Sequence, residues 1–515
     1  MRALLITIAA VLVGATPALA STFLEYEPDG RLVTKEQPAL PPPLPPPLAV
    51  PGGEQDCPLP PTSAKPGAHA SGSRSVASAV SRARRRATIT AATAKRYGSS
   101  YSEAIHARNR AGGRNRRELG AVIGTLQGIA ARGKLTGGRM PALFLQLDRN
   151  RQFWRGSPNF PVRTDLEPDP CHGPPSNNPA GARIVFKGSQ LVFQYYPGQG
   201  LQIQPLASFG LANGLITHCR HDATTCDRAT IKQLLDELVA IRSKRGSFTT
   251  WEYWFYFSGG VPPWTSGMSS GTAIQALARA SQQSILNDRS YLKVARNALG
   301  VFRAPPPLGV RVRSGHGYHY LLYSFAPGLR VLNGFLQAIT GLYDYAAVAH
   351  DKDARKLWQA GDRAARAELH RYDTGRWSRY NLGGAEASLG YHRLVTGFLD
   401  NLCGRIGGKY CNYYKRFRSY LGAKPSVQYT GKGTAVAGKV LALRYTIDKA
   451  ACVTAEVHDT SGHSVFRERA KVGRGKHRFR WTPRDAGQYV LTLGAVDSNG
   501  NATSPDFTIQ VNAAS

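Results

Sequence analysis

The chain has 515 residues, 42% of them hydrophobic, and carries a formal net charge of +33 from 66 basic against 33 acidic residues. That length implies more than one domain with material for a sizeable core, and that charge selects polyanions as partners. After the first residues no apolar run reaches the roughly 20 residues a membrane-spanning helix needs. No Cys-x-x-Cys spacing occurs either, so a transmembrane protein and a thiolate zinc site are both unsupported.

In chain order, Met1, Arg2, the apolar run Ala3 to Val13 and the small residues ending at Ala20 predict a cleavable signal peptide over 1–20. The expected protein is therefore secreted or associated with the cell surface. An exported chain meets anionic membranes and acidic polysaccharides more readily than nucleic acid, so no nucleic acid partner is expected. Residues 21–72, with PALPPPLPPPLAVPGG, read as a Pro-rich linker in an extended polyproline conformation. Residues 73–140 turn to Arg and Ala, with Arg82, Arg84, Arg85, Arg86, Arg108, Arg110, Arg114, Arg116 and Arg117 among good helix formers. This predicts a helical or partly disordered arm able to touch an anionic cell surface.

Seven cysteines in an exported chain imply disulfides. Close spacing favours Cys219 with Cys226 and Cys403 with Cys411. Cys57 with Cys171 is a third option, which leaves Cys452 as a buried free thiol.

A second, mainly helical region covers 141–422. ARIVFKGSQLVFQYYPGQG predicts a β-hairpin about Lys187-Gly188-Ser189, the one prominent β-element before the C-terminal region, and TTWEYWFYF reads as a further strand or a core helix. Asp227 is placed to cap a helix bearing Ile231, Leu234, Leu235 and Leu238. Further apolar faces follow at Ile274 and Leu277, at Leu292 to Phe302, and at Leu332, Phe335, Leu336, Ile339 and Leu342. Successive helical hairpins of this length imply an (α/α) toroid-like domain with a central cleft. From 423 to 515 the period changes to two: VLALRYTI, CVTAEVHD, HRFRW, YVLTLGAV and FTIQV, split by TSGH, GRGK, RDAG and DSNGN, predict a β-sandwich. Its segment RWTPRDAGQYVLTLGAVDSNGN resembles bacterial immunoglobulin-like modules.

Chemistry is sought first among Tyr323, Tyr372, Tyr380 and Tyr391, which lie in Gly-, Ser- and Asp-containing segments or at a helix start. His316 and His319 have metal-like spacing but no third ligand nearby, so a solvent-facing loop is expected and neither a metal nor a cofactor. Glu386 with Asp373 would suit a glycosidase carboxylate pair, without a motif behind it.

VLNGFLQAITGLYD, the RYDTG of Arg371 to Gly375, Tyr380 and the Tyr391-His392 pair together resemble the C-terminal domain of D-glucuronyl C5-epimerases, over about 200 to 422. The resemblance implies an enzyme that removes the C5 hydrogen of glucuronate within an acidic polysaccharide and returns a proton on the opposite face. It implies Tyr380, Tyr391 and Tyr323 as catalytic residues. Substrate binding falls to Arg330, Asn333, Tyr372, Arg376, Arg379, His392 and Arg393, the arginines acting on the phenols and the substrate carboxylate. The chain departs from the family at Leu322, where the epimerases carry Glu, and at Gly200 to Pro205, where they carry a tyrosine-rich run. A polysaccharide-binding protein without catalysis, and a uronate lyase or glycosidase, therefore stand beside the epimerase.

Overall fold

The computed structural model describes residues 21–37, 74–156, 158–161, 169, 171–172 and 178–514. The expected signal peptide, most of the Pro-rich linker and Cys57 lie outside them. Strands β1 (Ser21–Tyr26) and β2 (Leu32–Gln37) form an antiparallel hairpin, which corrects the expectation that the linker begins at residue 21. Phe23, Leu24 and Tyr26 are buried, so this stretch has the apolar anchors that the prolines after it lack.

The arginine-rich segment is packed. Helices α1 (Val76–Arg85), α2 (Ala91–Arg110) and α3 (Gly113–Ala131) join α4 (Met140–Arg155) in the main core. Ser75 and Thr90 cap the first two by accepting from backbone N–H groups three residues on. Val76, Val80, Tyr97, Leu119, Val122 and Leu126 point inward, while Arg84, Arg85, Arg86, Arg116 and Arg117 stay exposed. Of the two expected states, helical or partly disordered, the segment is helical, an amphipathic bundle with these arginines outside.

Strands β3 (Arg183–Phe186), β4 (Phe193–Tyr196) and β5 (Gly200–Ile203) extend the hairpin to a five-stranded sheet of order β2-β1-β3-β4-β5, with β1 parallel to β3. Helices α5 (Pro205–His221) and α6 (Arg228–Ala240) follow, joined by the Cys219–Cys226 disulfide. Two small hairpins come next in sheet terms, β6 (Ser243–Arg245) with β7 (Phe248–Thr250), and β8 (Arg311–Ser314) with β9 (Gly317–Tyr320). The hairpin at residues 183–196 is therefore not the one prominent β-element before the C-terminal region.

Between those hairpins run α7 (Gly267–Ala280), α8 (Ser290–Ala298) and α9 (Gly300–Arg303), and after them α10 (Leu332–Ala349), α11 (Lys352–Glu368), α12 (Leu389–Ile406) and α13 (Lys409–Gly422). The Cys403–Cys411 disulfide clips α12 to α13. Helices α7 and α10 meet through glycines, with Gln337 of α10 donating to Thr272 and Gln275 of α7 beside them: a Cβ on Gly341 would lie 2.0 Å from the Gly271 carbonyl oxygen. Only glycine lets the two backbones approach so closely.

The C-terminal region is β-rich: β10 (Val427–Tyr429), β11 (Thr434–Val436), β12 (Leu441–Ile447), β13 (Ala451–His458), β14 (Ser464–Val472), β15 (Gly475–Trp481), β16 (Gly487–Asp497), β17 (Ala502–Thr503) and β18 (Asp506–Asn512). One sheet has order β10-β12-β15 and the other β11-β18-β16-β13-β14. Leu443, Tyr445 and Phe479 from the first meet Val453, Leu491 and Ile509 from the second in one core.

This region is fastened to the helices. Cys452 bonds to Cys171 across 281 residues, so it is neither free nor left over, and the pairing of Cys171 with Cys57 is corrected. Lys449 is buried, pairs with Asp497, donates to the Ala423 carbonyl, and sits 4.6 Å over the Trp377 ring. Arg376 pairs with Asp448, and Glu386 accepts from the Ala450 N–H at 2.9 Å.

Candidate active site

Three segments bring the tyrosines together. Tyr323 follows β9 in a stretch pinned to the start of α7, where Ser324 N–H donates to the Thr265 carbonyl and Gly267 N–H to the Leu321 carbonyl. Tyr380 lies on the loop before α12, and its carbonyl accepts from Leu332 N–H at the start of α10. Tyr391 is in the first turn of α12, whose cap is Ser388. The Tyr323 and Tyr380 hydroxyls are 3.5 Å apart, and the Tyr380 and Tyr391 rings meet edge to face at 4.9 Å. Tyr380 also hydrogen-bonds Tyr391 through its hydroxyl. All three rings are buried.

A cavity of about 40 Å³ opens against two of them, with Tyr380 behind, and is lined by Tyr323, Tyr391, Asn333, Gln204, Ser266 and Leu322 and walled by Tyr253, Phe255 and Trp264. The polar members share an origin in the chain's architecture. Gln204 caps α5, Ser266 caps α7, Asn333 is in the first turn of α10 and Tyr391 in that of α12. Four helix N-termini therefore converge on the cavity, each the positive end of a peptide dipole. Asn333 Oδ1 accepts from Gly334 N–H at 2.7 Å, and the side chain lines the cavity. The Gln204 Nε2 donates to Tyr196 and Gln194, while its buried Oε1 has no partner among the described residues.

Tyr323 and Tyr380 are held protonated. Burial pushes Tyr323 well above the ordinary tyrosine value, and the neighbouring Tyr380 and Tyr391 raise it further. Burial also raises Tyr380, against the lowering effect of its hydrogen bonds to the other two. The arginines expected to lower these phenols point elsewhere. Arg330 pairs with Glu368 and donates to the Arg313 carbonyl, Arg379 donates to the Gly384 carbonyl at 2.6 Å, and Arg393 reaches Asn499. Arg376 is committed to Asp448.

The other expected contacts are internal. Tyr372 is fully buried and donates to the Arg330 carbonyl at 3.1 Å. His392 stacks on Trp377 at 3.8 Å, with one ring nitrogen on Ser378 and the other 2.9 Å from the Phe417 carbonyl oxygen. His319 is buried against Phe335 and bonded to Glu368, which corrects the solvent-facing loop expected there. Asp373 holds Arg416 and Tyr420, and Glu386 holds Thr374 and the β-region, so this carboxylate pair lies outside the cavity. Sequence reasoning missed Gln204, Tyr253, Trp264 and Ser266 as cavity residues. The available signal was the crowding of aromatics in WEYWFYF, which runs irregularly past the cavity instead of forming a long strand.

The sequence profile of the D-glucuronyl C5-epimerase C-terminus matches residues 245–419. A D-glucuronyl C5-epimerase of Caenorhabditis elegans is 36% identical over 134 residues, which is 24% of this chain and 21% of that protein. The chain thus matches about a fifth of that relative's length. Among solved structures, a cellobiose 2-epimerase of Bacillus thermoamylovorans is similar at 11% identity over 44% of this chain and 62% of its own, with a TM-score of 0.33. A CARDB domain of Pyrococcus furiosus is similar at 15% identity over 17% of this chain and 88% of its own, with a TM-score of 0.14.

Proposed function

We propose, from the premise that residues 245–419 form a D-glucuronyl C5-epimerase C-terminal domain, that this is an exported C5-epimerase of uronic acid units in an acidic polysaccharide. In this reading the paired helices are an (α/α) toroid-like frame and the C-terminal sheets an immunoglobulin-like module. The observation that carries it is the convergence of four helix N-termini on a cavity lined by phenols and an amide. Removing the C5 hydrogen places negative charge on the adjoining carboxylate, and fixed helix dipoles with neutral polar side chains stabilise that charge without reorganising. One deprotonated phenol of the Tyr323, Tyr380 and Tyr391 group takes the C5 proton. The bonding electrons move into the carboxylate to give an enediolate. A phenol on the opposite face then returns a proton to C5.

Because burial holds Tyr323 and Tyr380 protonated, their base form is scarce at neutral pH and the rate should climb on the alkaline side. Leu322 in the cavity wall, with no carboxylate beside it, favours a second reading: an anionic polysaccharide-binding protein without turnover. Incubation of glucuronate polymers in deuterated water separates the two. The epimerase incorporates deuterium at C5 and Tyr391→Phe loses this by about a hundredfold while still binding polymer; no incorporation across a panel of such polymers leaves the binding reading.

A further inference from the structure

A second cleft, of about 850 Å³, lies between the Thr374 to Glu386 loop and the β-region, with Arg379, Arg474 and Lys476 on its walls. From Lys476 the cations continue. Strand β15 turns Lys476, Arg478 and Arg480 to solvent, while His477, Phe479 and Trp481 face inward to differing depths. Alternate residues on a strand are about 6.8 Å apart, so these charges form a straight row. Arg444 of β12 stands directly opposite Arg478 and is exposed on the same face.

Like charges set opposite one another across a sheet destabilise it. Yet Arg444, Arg474, Lys476, Arg478 and Arg480 enter no ion pair among the described residues. The acids of the cleft are already engaged: Glu386 accepts from Thr374 and from Ala450 N–H, and Asp448 pairs with Arg376. The outward neighbours Gln428 and Thr446 are neutral. The row ends at Arg379, the residue before Tyr380, on a loop that the β-region holds in place through Glu386 and Lys449.

We infer that the outer face of the β10-β12-β15 sheet and the cleft it leads into form a binding track for an extended carboxylated polysaccharide, guiding the chain towards the Tyr380 loop. The inference rests on the uronate reading of the tyrosine cavity for its ligand, but the track binds polymer whether or not turnover occurs. A linear polyanion of regular charge spacing is complementary to a straight row of cations, and its binding releases counterions.

The test uses the full chain and an unsulfated glucuronate polymer, with affinity measured by calorimetry at several salt concentrations. The triple variant Arg444→Gln, Arg478→Gln, Arg480→Gln should weaken binding roughly tenfold and flatten the salt dependence. Its melting temperature should be unchanged or higher, because repulsion has been removed. A control triple at the end of the first helix, Arg84→Gln, Arg85→Gln, Arg86→Gln, should leave affinity near the parent value. Equal losses in both triples would mean that net charge alone acts, and would overturn the track. So would an unchanged salt dependence, or a larger loss of affinity for duplex DNA than for the glycan. If binding falls as expected while no C5 deuterium appears in the parent, the track stands and the catalytic reading fails.

Discussion

Leu322 packs its side chain into the cavity wall beside Tyr323, at 6% exposure. Leu322→Glu would place a carboxylate there, with no cation lining the cavity to pair with it. The expected outcome is a loss of stability on the order of 3 kcal/mol together with faster C5 deuterium exchange, since a carboxyl whose pKa burial has raised still gives up its proton at lower pH than a buried phenol. Thermal melts and exchange by NMR read the two effects separately. His392 offers a pH test. Burial, opposed by its bond to Phe417 and aided by Lys449 and Arg393, pulls its pKa down to about 4. Between about 6.5 and 4 the unfolded chain binds a proton that the folded chain refuses, so stability is full above the unfolded value and falls as pH drops through this window, by up to about 3 kcal/mol. Denaturant titrations at pH 7 and pH 4.5 should show this, and His392→Gln should flatten the difference. The three tyrosines were legible because their motifs are local in sequence. The commitments of Arg330, Arg376 and Arg393 were not, because the side chain that each one holds lies at least 38 residues away.

At the scale of elements, α10 was readable from the spacing of Leu332, Phe335, Leu336, Ile339 and Leu342, all buried as that spacing implies. The glycines of the same stretch needed the structure. Gly341 exists for the contact with α7, and Gly341→Ala should cost about 3 kcal/mol by forcing the helices apart. The same change should disturb the cavity, because Ser266 and Asn333 head those two helices; reduced C5 exchange at a temperature where circular dichroism still shows the native fold checks this. The hairpin β1–β2 escaped sequence reasoning for a different reason. It completes its sheet by pairing Leu24 with Ile184, a partner 160 residues on, which no local pattern reveals.

At the scale of the molecule, the β-region is part of the scaffold around the Tyr380 loop. The Cys171–Cys452 bond, the buried Lys449–Asp497 pair and the Asn499 and Asn501 amides on the Leu421 carbonyl all hold it against the helices. A cross-link closing so long a loop restricts the unfolded chain strongly, so Cys452→Ser should lower stability by about 3 kcal/mol. The transition should also broaden or split in calorimetry, as the β-region uncouples from the helices. The period-two pattern announced the sheets themselves; the fastening was hidden, because cysteine spacing cannot specify a bond across 281 residues.

The cavity's 40 Å³ has a kinetic meaning. That space suits a water or two and not a hexuronate ring. On the proposed uronate reading, Tyr323 and Tyr391 would have to part before a sugar entered. Only an open fraction would then bind, and apparent affinity would be the intrinsic affinity scaled down by that fraction. A polymer held nearby would meet each opening as it occurred, which would make residence on the surface as important to turnover as the fit of any single ring.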